Sequence, residues 1–399
     1  MKIIFCGWMY SDIEKEIRNS KNPHPISGHK YQENLCWGLL ENACDLTIIN
    51  SPRVRHYPDY PVILLKRHPF KIKEKKAGVE IGLVNLFGVN YFFQFLNTFK
   101  ELKRIADNTS ERIVLITFNS YVSQSLAMLF LKSLRKNVEL CDAIGDLHGK
   151  YGFRNHNKGI KKGLLDAYEQ FQDWLAAKFD SYIFLSDFMK EALNIEKKKY
   201  VVVEGFAPEY DDTYVIEKKP EEKIIFYAGA LQEEYGISHL LRAFGMIKNQ
   251  EYRLILAGTG DSAGIIKKYM EKDQRVVYLG LISPNEVKEY QRHATCLISP
   301  RLPDQSFVKY SFPSKTMECL ASGIPYVAHR LPCEPPEYAR FIQYPKGTGD
   351  EDLMREIVRI CEMKEEEWLE TGYRARCFIN EMKTPKKQCE KVLKLFSNA

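Results

Sequence analysis

The sequence predicts an α/β protein of two doubly wound, Rossmann-like domains facing a cleft, and three observations carry the prediction. Short runs rich in Ile, Val, Leu and Phe alternate with longer segments of helical period, the signature of a parallel sheet with crossover helices. That alternation runs through residues 1–206, stops over the charged stretch 207–222 with its two prolines, and restarts at 223. The chain has 399 residues, more than one core serves at roughly 150 residues per domain.

In the first domain the strands fall at KIIFCG (2–7), LTIIN (46–50), RIVLITF (112–118), VELCDA (138–143), YIFLS (182–186) and YVVVEG (200–205). After the first strand, PISGHKYQENLCWGLL (25–40) reads as a helix that opens near Gly28 and His29 and turns Leu35, Leu39 and Leu40 to the core. The start, MKIIFCGWMYSDIEKE, has too short an apolar run for a secretory signal and reads as the first strand. Residues 81–99 carry no charge, but Asn85, Asn90, Gln94, Asn97 and Thr98 would each cost free energy in hydrocarbon, so no transmembrane helix is expected. Joined to the basic run Lys66–Lys76, this aromatic stretch suits contact with a leaflet of acidic lipids. A solvated loop before a buried helix accounts for the same letters.

In the second domain the strands fall at KIIFYAG (223–229), YRLILAG (252–258), RVVYLG (275–280), TCLIS (295–299) and IPYVAH (324–329). The helix ISHLLRAFGMIK places Leu240, Leu241, Phe244 and Ile247 on one face. This domain is expected to end near 375, and residues 376–399 read as a terminal helix. Ligands of open parallel sheets bind outside the carboxyl ends of the strands, so chemistry is sought in those loops.

Composition excludes several classes. The balance of 58 Lys and Arg against 52 Asp and Glu, +6, is too mild to imply nucleic acid. Ten cysteines, none in a C-x-x-C pair, read as reduced thiols rather than a zinc or redox site. AGTGD, with Gly258 and Gly260, lacks the third glycine and the downstream acid of a dinucleotide site and reads as a tight turn after a strand. Asp350, Glu351 and Asp352 open a helix, where acidic residues suit the dipole better than a metal.

The most informative stretch is ISPRLPDQSFVKYSFPSKTMECLASGIPYV, residues 298–327. Pro313 suits a first helical turn and Gly323 its end, so the N–H groups near Ser314 and Thr316 form a helix start that favours phosphate, with Lys315 adding a positive charge. Glu318 follows on the same face, about 4.5 Å further along the axis, an offset like that from diphosphate to ribose. Met317, Leu320 and Ala321 anchor the helix. A plain Lys–Glu surface pair has the same spacing and is the competing reading.

These stretches resemble the GT-B retaining glycosyltransferases, family 4 above all, in which a Glu, seven residues, Glu motif ends a strand-loop-helix of the nucleotide-sugar domain. FYAGALQEEYGISHLLRAF, YRLILAGTGD and VVYLGLISPNEVKEYQRHATCLISP carry the resemblance, and KYSFPSKTMECLASGIP looks like a branch of bacterial surface-polysaccharide enzymes. The resemblance implies a GT-B fold, an acceptor-side first domain and a second domain holding a nucleotide diphosphate sugar. It implies transfer of a hexose to a glycan or lipid-linked acceptor with retention, without cofactor or metal, on the cytoplasmic side, where GT-B enzymes of this kind dock peripherally, and a last helix that crosses back to the first domain.

Carried over residue by residue, Glu318 matches the second motif glutamate, expected on the donor ribose. Tyr310 stands in place of the first, and Ala230 and Tyr235 stand where the family has Arg and Lys facing the diphosphate. Arg301, Lys309 and Lys315 are then the candidates for the positive charge, with Gly229, Gly258, Ser314 and Thr316 around the donor. Gly28 and His29 fall on the acceptor side. Asp146 and His148, in LCDAIGDLHGKYGF, fall near the transferring sugar and with Lys315 are the catalytic candidates; Glu204 is a weaker one. The departures leave two other readings open: a noncatalytic partner or scaffold of the same fold, and a nucleotide-sugar epimerase or hydrolase.

Overall fold

The computed structural model describes residues 1–147, 160–209 and 216–397. The chain divides into two compact units, Met1–Phe206 with Pro385–Ala399, and Ala207–Thr384.

The first unit runs β1 (Lys2–Gly7), α1 (Ile13–Arg18), α2 (Ile26–Glu41), β2 (Leu46–Asn50), β3 (Leu64–Leu65), β4 (His68–Ile72), β5 (Lys75–Glu80), β6 (Leu83–Val84), α3 (Val89–Ala106), β7 (Ile113–Phe118), α4 (Val122–Leu134), β8 (Val138–Ile144), α5 (Ile160–Ala176), β9 (Ser181–Phe184), α6 (Met189–Ala192) and β10 (Lys199–Val202). Its main sheet has the order β10-β9-β8-β7-β1-β2-β5-β4, parallel except for the antiparallel edge pair β4 and β5. Ile4, Phe5, Ile48, Val114, Ile116 and Leu140 have no exposed surface, as expected of central strands covered on both faces. The order reverses between β1 and β7, the switch point of this sheet.

The second unit runs β11 (Lys223–Ala228), a 3-10 turn (Glu233–Tyr235), α7 (Ile237–Met246), β12 (Tyr252–Ala257), α8 (Ala263–Lys272), β13 (Val276–Gly280), α9 (Pro284–His293), β14 (Cys296–Ser299), α10 (Ser314–Ala321), β15 (Tyr326–Ala328), β16 (Ile342–Gln343), α11 (Asp350–Cys361) and α12 (Glu365–Met382). Its all-parallel sheet has the order β13-β12-β11-β14-β15-β16, with the switch point between β11 and β14. Leu240, Leu241 and Phe244 of α7 are fully buried and Ile247 nearly so, as the helical period requires.

Two expectations are corrected and one is refined. In the stretch 207–222 expected as a linker, Lys219 Nζ donates to the carbonyls of Cys361 and Met363, at 2.6 Å each, and seats its own end on the second unit. The single terminal helix from 376 is two helices, because Pro385, which has no N–H to give, ends the ladder of α12 and starts α13 (Pro385–Ser397). α13 packs in the first unit, where a Cβ on Gly38 would stand 2.1 Å from Pro385 O. The basic run Lys66–Lys76 is not a loop along its length: from His68 it forms the β4–β5 hairpin, turned by Lys73 and Glu74 at φ +45° and +64°. Phe70 and Ile72 are buried beneath it, and Lys73 and Lys75 lie over the Trp37 ring. Among the described residues no helix is long and apolar enough to cross a membrane.

Candidate functional site

A cavity of about 240 Å³ opens at the switch point of the second unit. Its walls are the carboxyl ends of β11 (Tyr227 to Ala230) and β14 (Leu297 to Ser299, then Arg301) and the start of α10 (Pro313 to Lys315), with Tyr235, Gln291, Cys319 and Tyr326 closing the sides. The loop after β11 comes this close because of glycines. Gly258, at φ +134°, packs on Gly229, where a Cβ would stand 1.8 Å from Gly229 O; Gly236, at φ +83°, leaves no room for a Cβ against Pro300 O, 2.2 Å away.

The Arg301 guanidinium carbon sits 4.2 Å above the Tyr235 ring and 5.4 Å from the centre of Phe307. The strand end aims Arg301 at the cavity, and the two rings hold it there. Tyr235 is thus the platform for a cation rather than an empty place where one was expected. α10 begins after Pro313, which makes no side-chain cap, so its first N–H groups face outward at the cavity wall. An electropositive recess with a helix start and a guanidinium fork can hold a diphosphate.

The other expected donor residues separate. Gly229, Arg301, Ser314 and Lys315 line the cavity together. Lys315 and Glu318 are joined as an ion pair on α10, which is the plain surface-pair geometry, with Glu318 beside the lining residues rather than among them. Thr316 is buried beneath, its hydroxyl 3.3 Å from Tyr326 Oη. Lys309 stands over the Tyr310 ring at 4.8 Å, and neither is a lining residue. Gly258 supports the Gly229 turn from behind.

Sequence reading missed Tyr227, whose hydroxyl donates to Ala230 O at 2.8 Å and braces the loop, and Cys319, whose thiol burial pushes up to about 12. The signal for Tyr227 was a polar-tipped aromatic one residue before the end of an otherwise apolar strand. Cys319 follows Glu318 on α10 and carried no such mark.

In the first unit Gly28 and His29 lie in the first turns of α2, and His29 Nδ1 accepts from Tyr10 N at 3.2 Å. Asp146 is exposed after β8, its N–H donating to Asn119 Oδ1 at 3.2 Å, and His148 lies outside the described residues. Glu204 is buried, with Lys391 Nζ 3.9 Å away. Asp350 binds Arg242 and His239, and His239 Nε2 stands 3.0 Å from His329 Nε2; Asp352 caps the start of α11. Burial, then His239, hold His329 down to about 4. Among the described residues no three His, Cys, Asp or Glu side chains group as metal ligands would.

Residues 222–362 match the family described as glycosyl transferases group 1. An uncharacterized glycosyltransferase of Bacillus subtilis, YqgM, is 29% identical over 128 residues, 30% of this chain and 35% of that one. The alpha-monoglucosyldiacylglycerol synthase of Streptococcus pneumoniae is 28% identical over 116 residues, 28% of this chain and 25% of that one. The chain thus spans well under two thirds of the curated relatives it matches. Among solved structures, sucrose-phosphate synthase from Thermosynechococcus elongatus superposes with a TM-score of 0.62 at 14% identity, covering 100% of this chain and 99% of that one. The lipopolysaccharide outer core galactosyltransferase WaaB does so at 0.59 and 16%, covering all of both chains. The fold is that of the GT-B glycosyltransferases.

Proposed function

We propose that this protein transfers a hexose from a nucleotide diphosphate sugar to a glycan or lipid-linked acceptor, with retention and without an essential metal. The observation that carries the proposal is the recess at the β11–β14 switch point, where Arg301, Lys315 and the start of α10 meet in one cavity. Arg301 and Lys315 take the charge that develops on the leaving diphosphate, and preorganised donors at that place are the largest catalytic term. Glu318 turns from Lys315 to the vicinal ribose hydroxyls. No enzyme nucleophile is needed if the leaving phosphate accepts the acceptor's proton, so the protein's part is orientation and charge.

Tyr310 supports a second reading, a noncatalytic binder of the same donor, since a phenol cannot repeat a carboxylate's contacts with sugar hydroxyls. Incubation with UDP, GDP and ADP sugars separates the readings. Transfer or slow donor hydrolysis is expected; tight binding with neither would make the protein a binder, and an epimerised product would make it an epimerase.

A lipid-linked acceptor is supported by an apolar surface on the first unit. Phe87 is 79% exposed, Leu64 62% and Phe92 60%. Asn85 ties their loops together, its N–H donating to Ile63 O and its Nδ2 to the carbonyls of Arg55 and Val62. Exposed Lys66 and Arg67 follow directly, suiting acidic headgroups. Flotation with anionic vesicles should carry the protein, and Phe87→Asp with Phe92→Asp should leave it at the bottom; no flotation of the unaltered protein at low salt removes the membrane contact.

A further inference from the structure

α9 buries one side chain, and it is a glutamine. The other residues of the helix are exposed or half-buried, and Tyr290 stacks on Phe226 of β11 at 5.6 Å. Gln291 is 6% exposed, lines the cavity at the β11–β14 switch point, and among the described residues its side chain makes no hydrogen bond. A carboxamide withdrawn from water with both its ends unpaired costs free energy that a ligand in the cavity would return.

The cavity has two chemically different ends. Its lining runs from Ala230 back to Phe226 and from Arg301 back to Leu297, the register neighbour of Phe226, up to roughly 13 Å at about 3.3 Å per residue. Arg301, Lys315 and the start of α10 stand at the outer end. The inner end, walled by Phe226, Leu297, Cys319, Tyr326 and Gln291, carries no charge: burial pushes the Cys319 thiol up to about 12 and holds the Tyr326 phenol above its usual range. At about 240 Å³ the cavity is smaller than the roughly 300–1,000 Å³ that buries a whole drug-sized ligand, so it has room for phosphate and one compact neutral group while the nucleoside stays outside.

We infer that the inner end of this cavity reads the acetamido group of the donor sugar through Gln291, so that the hexose transferred is an N-acetylhexosamine. The inference rests on the donor reading of the recess and deepens it by naming the class of sugar. A carboxamide is matched at both ends by another carboxamide: the acetamido N–H donates to Gln291 Oε1, its carbonyl accepts from Nε2, and its methyl lies against Phe226 and Leu297. A hydroxyl in its place pairs with one end of Gln291 and brings no apolar surface.

The test uses sugar 1-phosphates, which carry phosphate and sugar without a nucleobase. Calorimetric titration of the full chain at low salt should find N-acetylglucosamine 1-phosphate bound about tenfold or more tighter than glucose 1-phosphate, or N-acetylgalactosamine 1-phosphate so favoured over galactose 1-phosphate. Gln291→Leu, which keeps a side chain of similar size in the buried site, should bind each acetamido sugar no better than its hydroxyl counterpart. Equal affinity within both pairs in the unaltered protein, or a preference that survives in Gln291→Leu, overturns the inference; the first comparison needs no variant and stands even if Gln291→Leu fails to fold. Inorganic pyrophosphate titrated into the same samples reports on the outer end alone. Without pyrophosphate binding the donor reading fails and this inference with it, whereas pyrophosphate binding with no preference between the sugars overturns this inference and leaves the donor reading standing.

Discussion

Replacing Arg301 tests the donor site most directly, because its stack on Tyr235 makes the effect of a second substitution calculable. A hydrogen bond from a charged donor nets about 1.5–3 kcal/mol, so Arg301→Ala should weaken a nucleoside diphosphate by about 10–150-fold. The guanidinium carbon is 4.2 Å above the Tyr235 ring at a partly exposed position, where such a contact is worth about 0.5–1 kcal/mol. Tyr235→Ala should therefore weaken binding by about 2–5-fold, while Tyr235→Phe keeps the ring and leaves affinity nearly unchanged. The discriminating measurement is the cycle: calorimetric titration of UDP, GDP and ADP into both single variants and the double variant. If Tyr235 acts by holding Arg301, then Tyr235→Ala adds nothing once Arg301 is gone. An equal loss with and without Arg301 would refute the platform role, and a Tyr235→Phe variant as weak as Tyr235→Ala would assign the effect to the hydroxyl instead.

Glu318→Ala unties Lys315, so inorganic pyrophosphate, which has no ribose, should bind more tightly while the nucleoside diphosphate binds about tenfold more weakly; parallel change of both ligands would remove Glu318 from the ribose. Lys315→Ala should lower turnover by about tenfold or more with circular dichroism unchanged. Gly236→Ala puts a Cβ 2.2 Å from Pro300 O at φ +83°, and should cost at least about 2 kcal/mol in urea unfolding; Gly245→Ala, in α7 with open space around it, should gain up to about 1 kcal/mol. Burial pushes the Asp142 carboxyl up to about 7, with Ser120 N and Oγ as its partners. Between about pH 4 and that value the folded chain holds a proton the unfolded chain has lost, so this group's contribution to stability falls as pH rises. Asp142→Asn should therefore gain on the unaltered protein at about pH 8 relative to about pH 4.5, by a few kcal/mol at most; a constant difference between them would refute the buried-acid assignment.

The sheets were legible where burial on both faces leaves no choice of residue. β7 reads IVLITF because neither face of the sheet there meets water, and the restart at 223 repeats the pattern. β4 and β5 escaped notice because they lie at the edge: only Phe70, Ile72, Ala77 and Val79 mark their inner face, too few alternations to outweigh the lysines between them. Lys73 and Glu74 turn the hairpin without the glycine or asparagine that usually announces such a turn. The break before α13 was written in the sequence, as Thr384 followed by Pro385, but the charge pattern runs smoothly across it.

Of the expected donor residues Gly229, Arg301, Ser314 and Lys315 share one cavity, a grouping the chain does not announce, since a residue missing at one position can be supplied from another loop. Compared column by column with the proteins it resembles, the chain lacks two cations, at Ala230 and Tyr235. In space the cavity has two, Arg301 and Lys315, brought from the end of β14 and the start of α10. The aromatic that replaces one expected cation carries another on its face. Spacing along the chain cannot disclose such an exchange, because the residues that make it lie on separate loops that the parallel pairing of β11 with β14 brings side by side. Tyr310 has no counterpart of this kind: the described residues lining the cavity include no carboxylate that could make the contacts the resemblance assigns to its position. On the proposed reading, Arg301 and Lys315 supply the charge for a diphosphate while the sugar ring is held without a carboxylate at position 310, so the choice of hexose, more than the choice of nucleotide, should set this chain apart from the enzymes it resembles.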